Sequence, residues 1–91
     1  MKAQFEIWEY DFPVKGLHPV LLISPPDRCA LTKQLNKQSR QPYPMEVMLD
    51  AEDGLSWETL CDCSIMYAVD SSSLKTKRGT VTHPRRIAIR D

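Results

Sequence analysis

The chain is written in short apolar bursts separated by prolines, glycines and polar turns, a pattern of strands rather than of long helices. The densest signal runs from Glu6 to Ser24, EIWEYDFPVKGLHPVLLIS. Strand side chains alternate by two, so Trp8, Tyr10 and Phe12 share one face of a strand over residues 5–12. Phe5 and Ile7 take the other face. Val20, Leu21, Leu22 and Ile23 form an unbroken apolar run, as expected of a strand buried on both sides. This second strand, over residues 20–24, ends at Pro25-Pro26, because proline cannot donate to a ladder. Pro13, Gly16 and Pro19 punctuate the turn between the two.

Further along, Leu31 to Leu35 reads as a short third strand followed by a polar loop that ends in Pro-Tyr-Pro. Residues 45–50 alternate well and form a fourth, and residues 51–54 a turn. Ser56 can cap a helix from Trp57 to about Asp62, with Glu58 in its first turn and Leu55 and Leu60 as a hydrophobic staple. Ile65, Tyr67 and Val69 mark another strand. Residues 71–79 read as a polar connection anchored by Leu74, and residues 87–89 as a closing strand after Pro84. The sum is a mainly β fold, a small barrel of antiparallel strands with one short helix, in a single domain spanning residues 1–91.

Length supports one domain, since 91 residues leave room for one core. A chain of this size buries only roughly 60–65% of its unfolded surface, which makes self-association a reasonable expectation. No apolar stretch approaches the roughly 18 residues of a membrane span. MKAQFEIWEY has no secretory apolar core, and the cysteine count, three, is odd, so a reduced, cytoplasmic protein is expected. Cys61 and Cys63 lack further ligands for zinc and read as strand thiols. Net charge is zero but segregated: residues 46–70 carry seven acids and no lysine or arginine, whereas residues 71–91 carry six cations and one acid. Such a split either builds a local positive surface or leaves two solvated faces that partly pair.

With the strands in place, four blocks resemble the MazF/PemK family of bacterial toxins: IWEYDF, HPVLLIS, QSRQPYPMEVML, and DGLSWETLCDCSIMYAVD followed by KTKRGTV. Their order and spacing, from Ile7 to Val81, carry the resemblance. It implies an SH3-like barrel and a ribosome-independent endoribonuclease that cuts single-stranded mRNA without a metal or cofactor. It also implies a homodimer silenced by an antitoxin protein, with no membrane partner. One branch of the same fold poisons DNA gyrase instead, so a member that binds gyrase, DNA or antitoxin without cutting RNA is the alternative. An unrelated SH3-like interaction module is a third reading.

The resemblance also implies an arginine before the proline of the second strand and a terminal helix after the glycine turn. Here the arginine position is His18, and THPRRIAIRD reads as too short for that helix. Imidazole, with a free pKa near ~6.5, can accept and donate a proton near neutrality, so His18 is the expected acid–base group. The bland reading of His18 is a histidine in a surface turn. Lys37 and Ser39 are the other expected catalytic residues, supplying charge and a hydrogen bond to the phosphorane. Lys15, Arg40, Tyr43 and Arg78 are the expected RNA contacts, Tyr43 by stacking. Trp57 reads as a core or dimer anchor rather than a base-stacking platform, the Glu58 and Asp62 pair as a solvated face, and His83 as a solvated or phosphate-facing side chain.

Overall fold

The computed structural model of the chain describes residues 3–14, 16–24, 29–37 and 40–90. Six strands, β1 (Glu6–Phe12), β2 (Gly16–Leu22), β3 (Cys29–Lys37), β4 (Glu46–Leu49), β5 (Thr59–Asp70) and β6 (Leu74–Thr80), precede one helix, α1 (His83–Arg90). They form a single sheet in the order β4-β5-β3-β2-β1-β6, with antiparallel pairing throughout. The mainly β, antiparallel architecture expected from the pattern is present. Among the described residues no ladder joins the edge strands β4 and β6. The turn after β4 instead crosses β6 directly, at Gly54 and Gly79. A Cβ on Gly79 would overlap the Asp53 carbonyl oxygen, and Gly54 has a φ of 91° that favours glycine.

Both faces of the sheet are packed, as the apolar run of β2 requires. Leu21 joins Ile7, Leu35, Leu49, Leu55, Cys61, Val81 and Ile89 on one face. Val20 and Leu22 join Val69 and Leu74 on the other, with Trp8, Tyr10 and Phe12 packed against them. The alternation read in β1 is therefore the one the fold uses: Ile7 and Trp8 go to opposite cores.

Three sequence expectations fail, each for a physical reason. The helix expected from Trp57 to Asp62 is absent: residues 59–62 open β5, a central strand paired with β3 on one side and β4 on the other. Leu60 and Cys61 are consecutive and both fully buried, which a half-exposed helix would not demand. The capping signal lies six residues earlier, at Asp50 rather than Ser56. Asp50 caps a 3-10 turn at residues 51–53, with Asp53 returning the bond to the Asp50 amide. The polar connection over residues 74–79 is in fact β6. This edge strand keeps its backbone paired to β1 while Lys75 to Arg78 remain exposed, so no apolar pattern is needed. The closing strand over residues 87–89 is the helix α1, so THPRRIAIRD is long enough for a terminal helix, contrary to expectation. Pro84 sits in its first turn, where a missing amide costs nothing, and Arg85 and Ile89 share its inward face at a spacing of four. Ile87 is exposed, whereas a strand would have placed it beside Ile89.

The helix is clamped by charge. Asp53, fully buried, accepts hydrogen bonds from the amides of Asp50 (3.0 Å) and Thr82 (2.9 Å) and from the Arg85 guanidinium. Arg85 also holds Asp50 through two bonds of 2.8 and 3.2 Å. These contacts raise the Arg85 guanidinium above its ordinary range, the Asp50 bond most, and lower the Asp50 carboxyl. Part of the charge segregation seen in the sequence is thus spent internally.

Candidate functional site

The β2–β3 ladder stops at the pair Val20–Gln34. Beyond it, the start of β2 stays with β1 and the end of β3 stays with β5, so the two strands splay. A cleft of about 440 Å³ opens in the splay. Pro19 and His18 border it from β2, Asn36 and Lys37 from β3, and Arg78 from β6. Residues 55–59, pinned beside Arg78 by the glycine crossing, close the remaining side with Ser56, Trp57 and Thr59. Leu35 and Leu55, both buried, form its apolar base.

Lys37 and Arg78 make the cleft cationic, and none of the described residues lining it is a carboxylate. The Lys37 ammonium lies 3.6 Å from the centroid of the Trp57 ring. Arg78 bonds Glu9 at 2.6 Å and reaches Ser56 Oγ at 3.5 Å. Trp57 is 60% exposed despite its size. Thr59 is buried, its hydroxyl donating to the Trp57 carbonyl at 3.2 Å, which fixes the bend that presents the indole.

His18 sits at the rim rather than in the base. It pairs with Tyr10 across the β1–β2 ladder, and directly opposed residues share a face, so its ring belongs with Tyr10 and Phe12. The imidazole and Phe12 rings are 6.0 Å apart at 65°. Pro19, opposite Glu9, is the β2 residue on the cleft face.

Of the sequence-expected site residues, His18, Lys37 and Arg78 come together around this cleft. Arg40 and Tyr43 do not line it. Arg40 grips Glu46 through bonds of 2.8 and 2.9 Å and lies 4.1 Å from the Tyr43 ring centroid, while the Tyr43 amide donates to the same carboxylate. Glu46 is held below the usual carboxylate range by Arg40 first and the Tyr43 amide second. This cluster braces the loop before β4. Lys15 and Ser39 lie outside the described residues. His83 is exposed at the start of α1, away from the cleft-lining set.

Cys61 is buried in β5, and burial pushes its thiol up, which makes it unreactive. No helix among the described residues is long and apolar enough to cross a membrane.

Sequence reasoning missed Trp57 and Thr59 as cleft residues because it assigned both to a helix. The signal available was a tryptophan set between the polar residues Ser56 and Glu58, three residues after the Asp53-Gly54 turn.

The antiparallel sheet with its terminal helix has the MazF/PemK-like fold, which solved MazF toxins and mycobacterial endoribonucleases share. A mycobacterial endoribonuclease in complex with its cognate antitoxin matches 99% of this chain and 88% of its own, with a TM-score of 0.82 and 17% identity. The Mycobacterium tuberculosis toxin MazF-mt6 matches 93% of this chain and 88% of its own (TM-score 0.79, 18% identity). A MazE–MazF structure from Deinococcus radiodurans matches 98% and 88% at the same score and identity. No protein-family model and no curated protein matches the sequence.

Proposed function

We propose that this chain is the toxin of a type II toxin–antitoxin pair, acting in the cytoplasm as an endoribonuclease on single-stranded RNA. The observation that supports this most directly is the cleft: on a MazF-like fold, the splay of β2 from β3 gathers His18, Lys37 and Arg78 around one opening. Metal-free cleavage makes three demands. The 2′-hydroxyl must lose a proton as its oxygen attacks phosphorus, the phosphorane charge must be offset, and the departing 5′-oxygen must gain a proton. In this reading His18 takes the 2′-proton from the cleft rim and solvent protonates the leaving oxygen. Lys37 and Arg78 offset the charge, and Ser39 donates a hydrogen bond to it. Lys15, Arg40 and Tyr43 contact RNA flanking the cleft.

The active species in this reading is a homodimer, and an antitoxin segment silences it. Among the matched structures, a mycobacterial endoribonuclease carries its cognate antitoxin. The test is incubation of the purified protein with mixed-sequence RNA in EDTA. Fragments ending in 2′,3′-cyclic phosphate are expected, and His18→Ala should slow their formation roughly 100-fold or more. Intact RNA would refute the nuclease reading, and full activity of His18→Ala would remove His18 from the chemistry.

A second reading, binding of gyrase, DNA or antitoxin without RNA cleavage, draws on one observation. The His18 ring shares the face of Tyr10 and Phe12 rather than the face of the cleft base. Growth arrest on expression with RNA left intact would favour it.

A further inference from the structure

The cleft contains a group that proton transfer and charge neutralisation do not use. Trp57 is one of two tryptophans in the chain, and 60% of it is exposed at the wall of a cavity whose other exposed lining includes the cations Lys37 and Arg78, above the buried Leu35 and Leu55. Exposure of so large an apolar ring is costly unless something covers it, at about 25 cal/mol for each Å² left in water. Lys37 covers only part of one face, since a single ammonium at 3.6 Å is far smaller than an indole. The backbone that carries the ring is held in place. The Trp57 carbonyl accepts from the buried Thr59 hydroxyl, and the preceding turn is locked by the Gly54–Gly79 crossing. An exposed aromatic ring that lines a cavity with two cations, with no carboxylate among the described lining residues, is complementary to a base and its adjoining phosphates.

We infer that Trp57 is the stacking platform for one nucleobase of single-stranded RNA, with Lys37, whose ammonium lies over the ring, within reach of the phosphate attached to that base. The inference rests on the reading of the cleft as an RNA site and adds a residue that sets where the strand sits in it. An indole stacks on any base, so Trp57 fixes register and affinity rather than selecting one base by hydrogen bonds. Purines, with the larger ring area, gain most.

The test uses binding without cleavage. In a Trp8→Phe background Trp57 is the one remaining tryptophan, so its emission reports on this site alone. Titration with a short mixed-sequence 2′-O-methyl oligoribonucleotide, which has no free 2′-hydroxyl to attack phosphorus, should quench that emission. In the wild-type background Trp57→Ala should weaken binding of a labelled copy about tenfold or more, while Trp57→Phe retains most of the affinity. Circular dichroism of both variants should match the parent, because the side chain is exposed.

Binding with unquenched emission, or unchanged affinity in Trp57→Ala, would overturn the assignment. So would emission that shifts with protein concentration but not with oligonucleotide, which would mark Trp57 as a contact between copies of the chain. The failures are separable. Quenching by the oligonucleotide with natural RNA left uncut would refute the nuclease reading and support the platform. Cleavage of natural RNA at the parental rate by Trp57→Ala, without quenching, would do the reverse.

Discussion

The segment from Asp50 to Thr59 has two neighbourhoods that treat charge in opposite ways. At its start, Asp53 is fully buried and accepts from two amides and a guanidinium, and Arg85 is shared with Asp50. At its end, Trp57 is exposed, Lys37 lies over an aromatic ring rather than on a carboxylate, and Arg78 is tied to Glu9 at the protein surface. The first arrangement is closed and locks α1 to the turn. The second is open and leaves positive charge facing a cavity. A buried ion set whose polar atoms are all satisfied holds one geometry, because losing any partner strands the others. A partly exposed set can exchange its partners for those of a ligand at little cost.

The contrast breaks most severely at Asp53. Asp53→Ala would leave Arg85 half-buried without its central partner and the Asp50 and Thr82 amides without acceptors. Equilibrium urea unfolding should show a loss of about 3 kcal/mol or more. Asp53→Asn keeps an acceptor and should lose less; equal losses would mean that the charge is irrelevant to the clamp.

Acid should act on the same end and on Glu6 in β1. Asp50 is lowered by Arg85 first and by the Glu52 amide second. For Glu6, burial alone would raise the carboxyl, but Lys77, the Trp8 indole and the Ala3 amide outweigh it and the result is a lowering. A carboxyl lowered by folding contributes stability above its unfolded pKa, about 4, and loses it as pH falls through the folded value. Thermal melts should therefore hold steady at neutral pH and fall steeply below about pH 4. Arg85→Met should flatten that fall, and an unchanged slope would dissociate the clamp from acid sensitivity.

The smallest effect on stability is expected at the open end. Lys37→Gln and Arg78→Gln should each change the unfolding free energy by no more than about 0.5 kcal/mol, as exposed groups do. Each should nevertheless make RNA binding less dependent on salt, because one fewer counterion is displaced. A large stability loss in either variant would show that the cleft cations belong to the scaffold.

How much of this was legible can be seen residue by residue. Ile7 and Trp8 were assigned to opposite faces from period-two alternation alone, and both-sided burial of β2 followed from Val20 to Ile23. His18, Lys37 and Arg78 were singled out from the resemblance and from charge, and all three line one cleft. Arg40 was singled out for its charge and Tyr43 as a stacking side chain in a proline-bounded loop; both are engaged with Glu46, because a loop cation takes the nearest carboxylate that loop geometry offers. Trp57 was misassigned together with its helix.

The sequence by itself determined the antiparallel β class, the two-faced strand pair at the start and the chemistry available near the cleft, since these depend on side-chain type and spacing along one strand. The tertiary structure alone decided that residues 59–62 are strand and residues 83–90 helix, because a short apolar run takes its conformation from what pairs with it. It also decided that a turn capped by Asp50 would press against β6 at Gly79. That crossing joins residues far apart in the chain, closes a charged clamp on one side and leaves an indole facing a cationic cleft on the other.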